Sequence, residues 1–193
     1  TTPATDSHNF AVGTSQHIEA IPDPGGHGFV QWTVTAGASN IDIDTSADPA
    51  NIEQDVTLTG DATIRPVFEA ITHELTIDLG SGGASSSGGG TLSYPYESEI
   101  SAVASSGYEF TRWYVISGGG NITIDVGTNS QTVTLTGDAT IRAEFQQVFH
   151  TLSFASSIGG TASGAGTFSY PYETTIRAHE ENGYEAIGWS IVE

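Results

Sequence analysis

The sequence predicts an all-β protein with at most a short helical turn, built from tandem small β-rich repeat domains of about 77 residues, β-grasp-like or β-sandwich-like, arranged as a semi-rigid rod. Three observations lead there. The ten residues VTLTGDATIR at Val56 to Arg65 return without a substitution at Val133 to Arg142, a shift of 77 positions. Along nearly every candidate element apolar residues alternate with polar ones at period two, and no stretch of helical length has the i, i+3, i+4 spacing of an amphipathic helix. The 24 glycines cluster at candidate turns.

In chain order, residues 1–7 are a polar lead-in containing Pro3. Repeat 1 covers 8–70. Its Phe10-Ala11-Val12 and Ile18 align with Leu92-Ser93-Tyr94 and Ile100 at an offset of 82, and Gly26 to Trp32 aligns with Gly107 to Trp113 at an offset of 81. The drop from 81 to 77 falls in Thr45 to Asp55, which reads as a variable loop. Each copy of the decapeptide reads as a β-hairpin, with Gly60-Asp61 as a two-residue turn and glycine at a position needing positive φ. Repeat 2 covers 71–147 and is complete. It opens with the strand His73 to Ile77, continues through a Gly/Ser tract, Gly80 to Gly90, read as a flexible surface loop, and then strand candidates from Thr91 to Phe145. Repeat 3 covers 148–193, repeats Ser93-Tyr94-Pro95-Tyr96-Glu97 as Ser169-Tyr170-Pro171-Tyr172-Glu173, and lacks a second half. Repeat 1 lacks the opening strand. With both ends falling inside a repeat and Thr1 rather than Met at the start, the expectation is an excerpt from a longer array. The joints between repeats, Glu69 to Thr72 and Gln146 to Phe149, have neither Gly nor Pro, which predicts a restricted hinge.

Charge narrows the function. Twenty-three acidic residues face four basic ones, all arginine (Arg65, Arg112, Arg142, Arg177), for a formal net charge of −19. Such a field repels phosphate backbones and anionic lipid, so basic-patch binding to nucleic acid or a membrane surface is excluded. With no Cys there is no disulfide framework, thiolate nucleophile or cysteine metal site. No apolar run reaches the length that spans a bilayer as a helix.

From His73 to Phe145 the features run strand, Gly-Gly tract, Ser-Tyr-Pro-Tyr, apolar alternation, Gly-Tyr-x-Phe-x-x-Trp at Gly107 to Trp113, a variable segment, then the decapeptide closing in Ala143-Glu144-Phe145. This order resembles the divergent internalin-B B-repeats, small extracellular β modules strung along bacterial surface and secreted proteins. The resemblance covers the chain after Ser7 as one full and two partial copies. It departs at His27, Ala186 and Arg65-Pro66-Val67-Phe68. It implies a compact β fold with relatives like β-grasp, a spacer or adhesive role on the cell surface or outside the cell, and no catalytic residues to carry over.

The candidate residues fall into four groups. Phe29, Trp32, Phe68, Phe110, Trp113, Phe145, Tyr184 and Trp189 are expected to anchor the small cores, since few other bulky residues exist; the competing reading is a sugar-stacking face. Asp42, Asp44 and Asp48 beside Asn40 are the candidate Ca2+ ligands, although repeat 2 keeps only Asp125 of the first pair and alternation puts Asp42 and Asp44 on the solvent face. The six histidines show no metal spacing, and no nucleophile elbow or phosphate-loop lysine occurs, so no catalytic residue and no cofactor is expected. Arg65 and Arg142, at one position of the repeat in a chain nearly free of cations, are each expected to pair with a carboxylate. The expected partners are neighbouring repeats of the same or an adjacent chain, and a surface glycan or protein receptor. The leading expectation is a non-catalytic stalk or adhesive module. The alternatives are a subunit of an extracellular filament or virion appendage joined by strand pairing, and a carbohydrate-binding module.

Overall fold

The computed structural model describes residues 7–191. Among the described residues strand accounts for 54% and no helix reaches seven residues, as the period-two alternation predicts. Two compact units are present among the described residues: residues 7–73 with 92–96, and residues 74–91 with 97–191.

The first unit contains two sheets. β1 (Ser15–Glu19) and β3 (Ile41–Asp42) flank β4 (Glu53–Leu58), and β2 (His27–Ala36) pairs with β5 (Thr63–Ala70), all antiparallel. Ala20, Phe29 and Trp32 are its buried cluster, with Ile18, Ile43, Ile52, Ile64 and Phe68 packed on it. Phe29 and Trp32 are three apart, a spacing that puts strand side chains on opposite faces. A bulge between Phe29 and Gln31 inserts the extra residue that brings both rings inward. The same bulge between Phe110 and Arg112 does this for Phe110 and Trp113. This is why the motif reads F-x-x-W.

The second unit repeats the plan with more strands. One sheet has the order β10–β13–β6–β8, from Tyr108–Ser117, Ala139–Gln147, Thr72–Leu79 and Gly90–Ser93; the other has the order β11–β12–β9–β7, from Ile122–Thr123, Ser130–Leu135, Glu97–Ala104 and Gly83–Ser87. β6 runs parallel to β13, whereas β10 is antiparallel to β13 and the second sheet is antiparallel throughout. Ile100, Ala102, Val133 and Leu135 are buried from one sheet, and Leu75, Trp113, Ala139, Ile141 and Ala143 from the other, so the core lies between the two layers. The remaining strands are β14 (Phe149–Leu152) with β16 (Gly166–Ser169), and β15 (Gly160–Ser163) with β17 (Arg177–Glu180). They correspond to β6 with β8 and to β7 with β9.

Three expectations are corrected. The decapeptide is not a hairpin: β4 pairs with β1 and β3 while β5 pairs with β2, and likewise β12 and β13 lie in different sheets. Gly60 and Gly137 have no positive φ. The segment is an arch that carries the chain from one layer to the other. The Gly/Ser tract is not a free loop, because Gly83–Ser87 pairs with β9; small side chains and a register irregularity let it lie as an edge strand. Third, Thr45 to Asp55 is only partly loop, since Pro49–Ile52 forms a 3-10 turn capped by Asp48 and β4 already begins at Glu53.

Candidate functional site

The predicted core aromatics divide by repeat. Trp32 and Trp113 are 5% and 1% exposed, and their indole N–H groups donate to the carbonyls of Asn51 and Thr128, both at 2.9 Å. Phe29 is buried, while Phe110, Phe68 and Phe145 are half-buried. Phe29 lies 5.7 Å from Trp32 and 6.1 Å from Phe68; Phe110 lies 5.7 Å from Trp113 and 5.9 Å from Phe145. Phe29, Trp32 and Trp113, being buried, present no open face for a sugar to stack on. Tyr184 and Trp189 depart from the expectation, standing 54% and 53% exposed. The Trp189 ring lies 5.5 Å from that of Phe154, centre to centre.

The arch is held the same way in both units. Asn40 Nδ2 donates to the Asp61 carbonyl at 2.8 Å and Asn121 Nδ2 to the Asp138 carbonyl at 3.0 Å. Gly37 and Gly118, at φ of 66° and 71°, let the chain pass directly over those same two carbonyls, where a Cβ would collide. Only the second unit adds side-chain links from the arch to β6. Asp138 Oδ1 accepts from the Glu74 N–H at 2.8 Å, and Arg142 Nε donates to Asp78 Oδ2 at 2.6 Å. The expected ion pair thus exists for Arg142. For Arg65 it does not: no carboxylate lies within ion-pair distance among the described residues. Sequence reasoning missed Arg112, which donates to Glu144 Oε2 at 2.8 Å; this hydrogen bond and the charge of Glu144 push its pKa up. Their cross-strand register was the missing signal.

The acidic candidates serve the local backbone. Asp44 Oδ1 accepts from the Ser46 N–H at 2.8 Å, the main cause holding its carboxyl below the usual range, and Asp48 Oδ1 caps the 3-10 turn at Ala50 N–H, 2.9 Å away. Asp125, aligned with Asp44, is lowered chiefly by the Gly127 N–H and then by the Thr128 hydroxyl. Gln54 and Gln131 bracket these turns, each accepting from the N–H and donating to the carbonyl of the aligned aspartate. Asp42 lies exposed on β3. Among the described residues no three His, Asp or Glu side chains converge on a point where a metal ion would sit. Two shallow hollows lie beside the aromatic and ion-paired residues. One, of about 430 Å³, is lined by Trp32, Val34, Ile41 and Ile43; the other, of about 390 Å³, lies beside Arg142 and Glu144, whose charges are already paired.

The family model of the divergent InlB B-repeat domain matches residues 1–72 and again 73–149. No curated protein and no solved structure matches the chain.

Proposed function

The chain belongs to the divergent InlB B-repeat domain family, and on that premise we propose that it is a non-catalytic structural and adhesive repeat module of a bacterial cell-surface or secreted protein. In this reading it is a spacer that carries other domains away from the surface and adds weak multivalent contact. One observation supports the reading above all: the chain repeats a buried scaffold, with Trp32 and Trp113 bonded alike to backbone carbonyls. Display tests it. With the chain set between a cell-wall anchor and a reporter epitope, antibody access to the epitope should rise with the number of repeats. Access indifferent to repeat number would overturn the reading.

A second reading, assembly by strand addition, draws on β5. Among the described residues no strand occupies the edge that in β13 is taken by β6. Pro66, aligned with Ala143, weighs against it, because it removes an N–H on that edge. A monomer by sedimentation at high concentration would dismiss this second reading.

A further inference from the structure

The Ser-Tyr-Pro-Tyr loop is built identically twice. The Tyr96 N–H donates to the Ser93 carbonyl and the Tyr172 N–H to the Ser169 carbonyl, both at 2.8 Å. Tyr96 and Tyr172 have φ of 60° and 61°. The two tyrosine rings of each loop meet edge to face at 5.8 Å, and a histidine ring, His73 or His150, rests on the second tyrosine at 4.5 or 4.6 Å. By sequence the first loop belongs to repeat 2, yet residues 92–96 group with the first compact unit. What they meet there is the Gly26 turn of repeat 1. A Cβ on Gly26 would come 2.6 Å from Tyr94 Cβ and 2.6 Å from the Tyr96 hydroxyl. Within the second unit, Gly107 meets Tyr170 of repeat 3 in the same way, so that a Cβ would overlap that side chain. Each glycine carbonyl also accepts a 2.8 Å hydrogen bond from the single residue between the last strand of one repeat and the first strand of the next, Ile71 to Gly26 and Val148 to Gly107.

We propose that the Tyr-Pro-Tyr loop is the docking element by which a repeat seats on its predecessor, and that the glycine turn at Gly26 and Gly107 is the surface that receives it. The geometry explains the residue types. Only glycine combines positive φ with a surface flat enough for a tyrosine to lie against the backbone, and the tyrosines supply apolar area with a polar tip at a partly wet seam. The turn at Gly183 has the same form: φ is 88°, Tyr184 N–H donates to the Glu181 carbonyl at 3.1 Å as Tyr108 N–H does to Ser105 at 3.0 Å, and among the described residues nothing beyond its chain neighbours lies within 4 Å of its Cβ position. It fits the Tyr-Pro-Tyr loop of another B-repeat. A second copy of this chain has no spare loop to give, because Val12 and Thr14 stand where repeat 1 would carry the two tyrosines. The inference stands apart from the spacer reading, since it needs only these contacts.

Amide exchange in the full chain tests it, each readout lying across the contact from the substitution. Gly26→Ala should accelerate exchange of the Tyr96 amide at least tenfold, and Tyr94→Ala should do the same for the Ile71 amide. Gly107→Ala and Tyr170→Ala should act likewise on Tyr172 and Val148. Combining Gly26→Ala with Tyr94→Ala should add little to either alone. Gly183→Ala carries the same positive-φ cost without a partner and should leave all four amides unchanged. Unchanged exchange across the contact, or fully additive effects in the double variant, would overturn the proposal; because the tyrosine variants create no backbone strain, they decide the matter even if a glycine variant does not fold.

Discussion

Asp78 Oδ2 takes the Nε–H of Arg142 at 2.6 Å across two parallel strands, while Arg65, the last residue of an identical decapeptide, meets no carboxylate among the described residues. Both partners of the pair are more than two-fifths exposed, so water screens it and its contribution is small. Arg142→Ala should lower the stability of the second unit by about 0.2–1 kcal/mol, and Arg65→Ala should change nothing measurable. A denaturation double-mutant cycle with Asp78→Ala checks the coupling.

Trp113 fills the core of its unit and satisfies its indole N–H on the Thr128 carbonyl. Trp113→Phe deletes that bond, leaving the Thr128 carbonyl with Gln131 Nε2 as its donor, and opens a gap, so urea unfolding should register a loss of about 1–3 kcal/mol. Trp32→Phe should behave alike in the first unit through Asn51. Trp189, being half exposed, should supply most of the acrylamide-quenchable fluorescence. Trp189→Phe should remove that component without shifting the melting temperature.

The arch depends on one amide. Asn121→Ala deletes the bond to the Asp138 carbonyl and should cost about 1 kcal/mol, and Asn40→Ala the same in the first unit. Gly118→Ala should cost more, about 1–3 kcal/mol, because a methyl at φ 71° strikes the Asp138 carbonyl. Thermal unfolding of the three variants ranks them.

Asp125 titrates below the ordinary carboxylate range because the Gly127 N–H, and then the Thr128 hydroxyl, bond its charged form. A carboxyl depressed in the folded state contributes stability above its unfolded pKa of about 3.9 and loses that contribution as pH falls through the folded value. Asp125→Asn should therefore flatten the acid limb of the stability curve below about pH 4 and leave the neutral limb level. Melting temperatures across pH 2–7 for the two proteins check this, with the midpoint of the carboxyl 13C titration as a second readout.

The strands and the aromatic core of the two fuller repeats were legible because each is a local pattern: alternation announces a strand, and bulky residues are scarce enough that most must be interior. Phe29, Trp32, Phe110 and Trp113 follow from that scarcity. The arch was not legible. Thr59-Gly60-Asp61 has hairpin composition, and which strand lies beside β4 is settled by β1, some forty residues upstream. The edge strand at Gly83–Ser87 was hidden for a similar reason, since glycine and serine announce flexibility and only pairing with β9 contradicts them. Tyr184 and Trp189 have the spacing of core residues yet stand half exposed, and Arg65 has the place of Arg142 without a carboxylate beside it among the described residues. In each case the residue was read correctly as a type, and its surroundings were supplied by a segment far off in the chain.

The crossing made by VTLTGDATIR bears on the order in which a unit comes into being. During synthesis β4 emerges after β1 and β3 and can join them at once, but β2 waits for β5, the last strand of the first repeat to leave the ribosome. Until those final residues appear, Phe29 and Trp32 lack half their lining, and a nascent unit stays open on one side. The decapeptide is thus a latch, and cutting the chain inside it should leave neither layer closed.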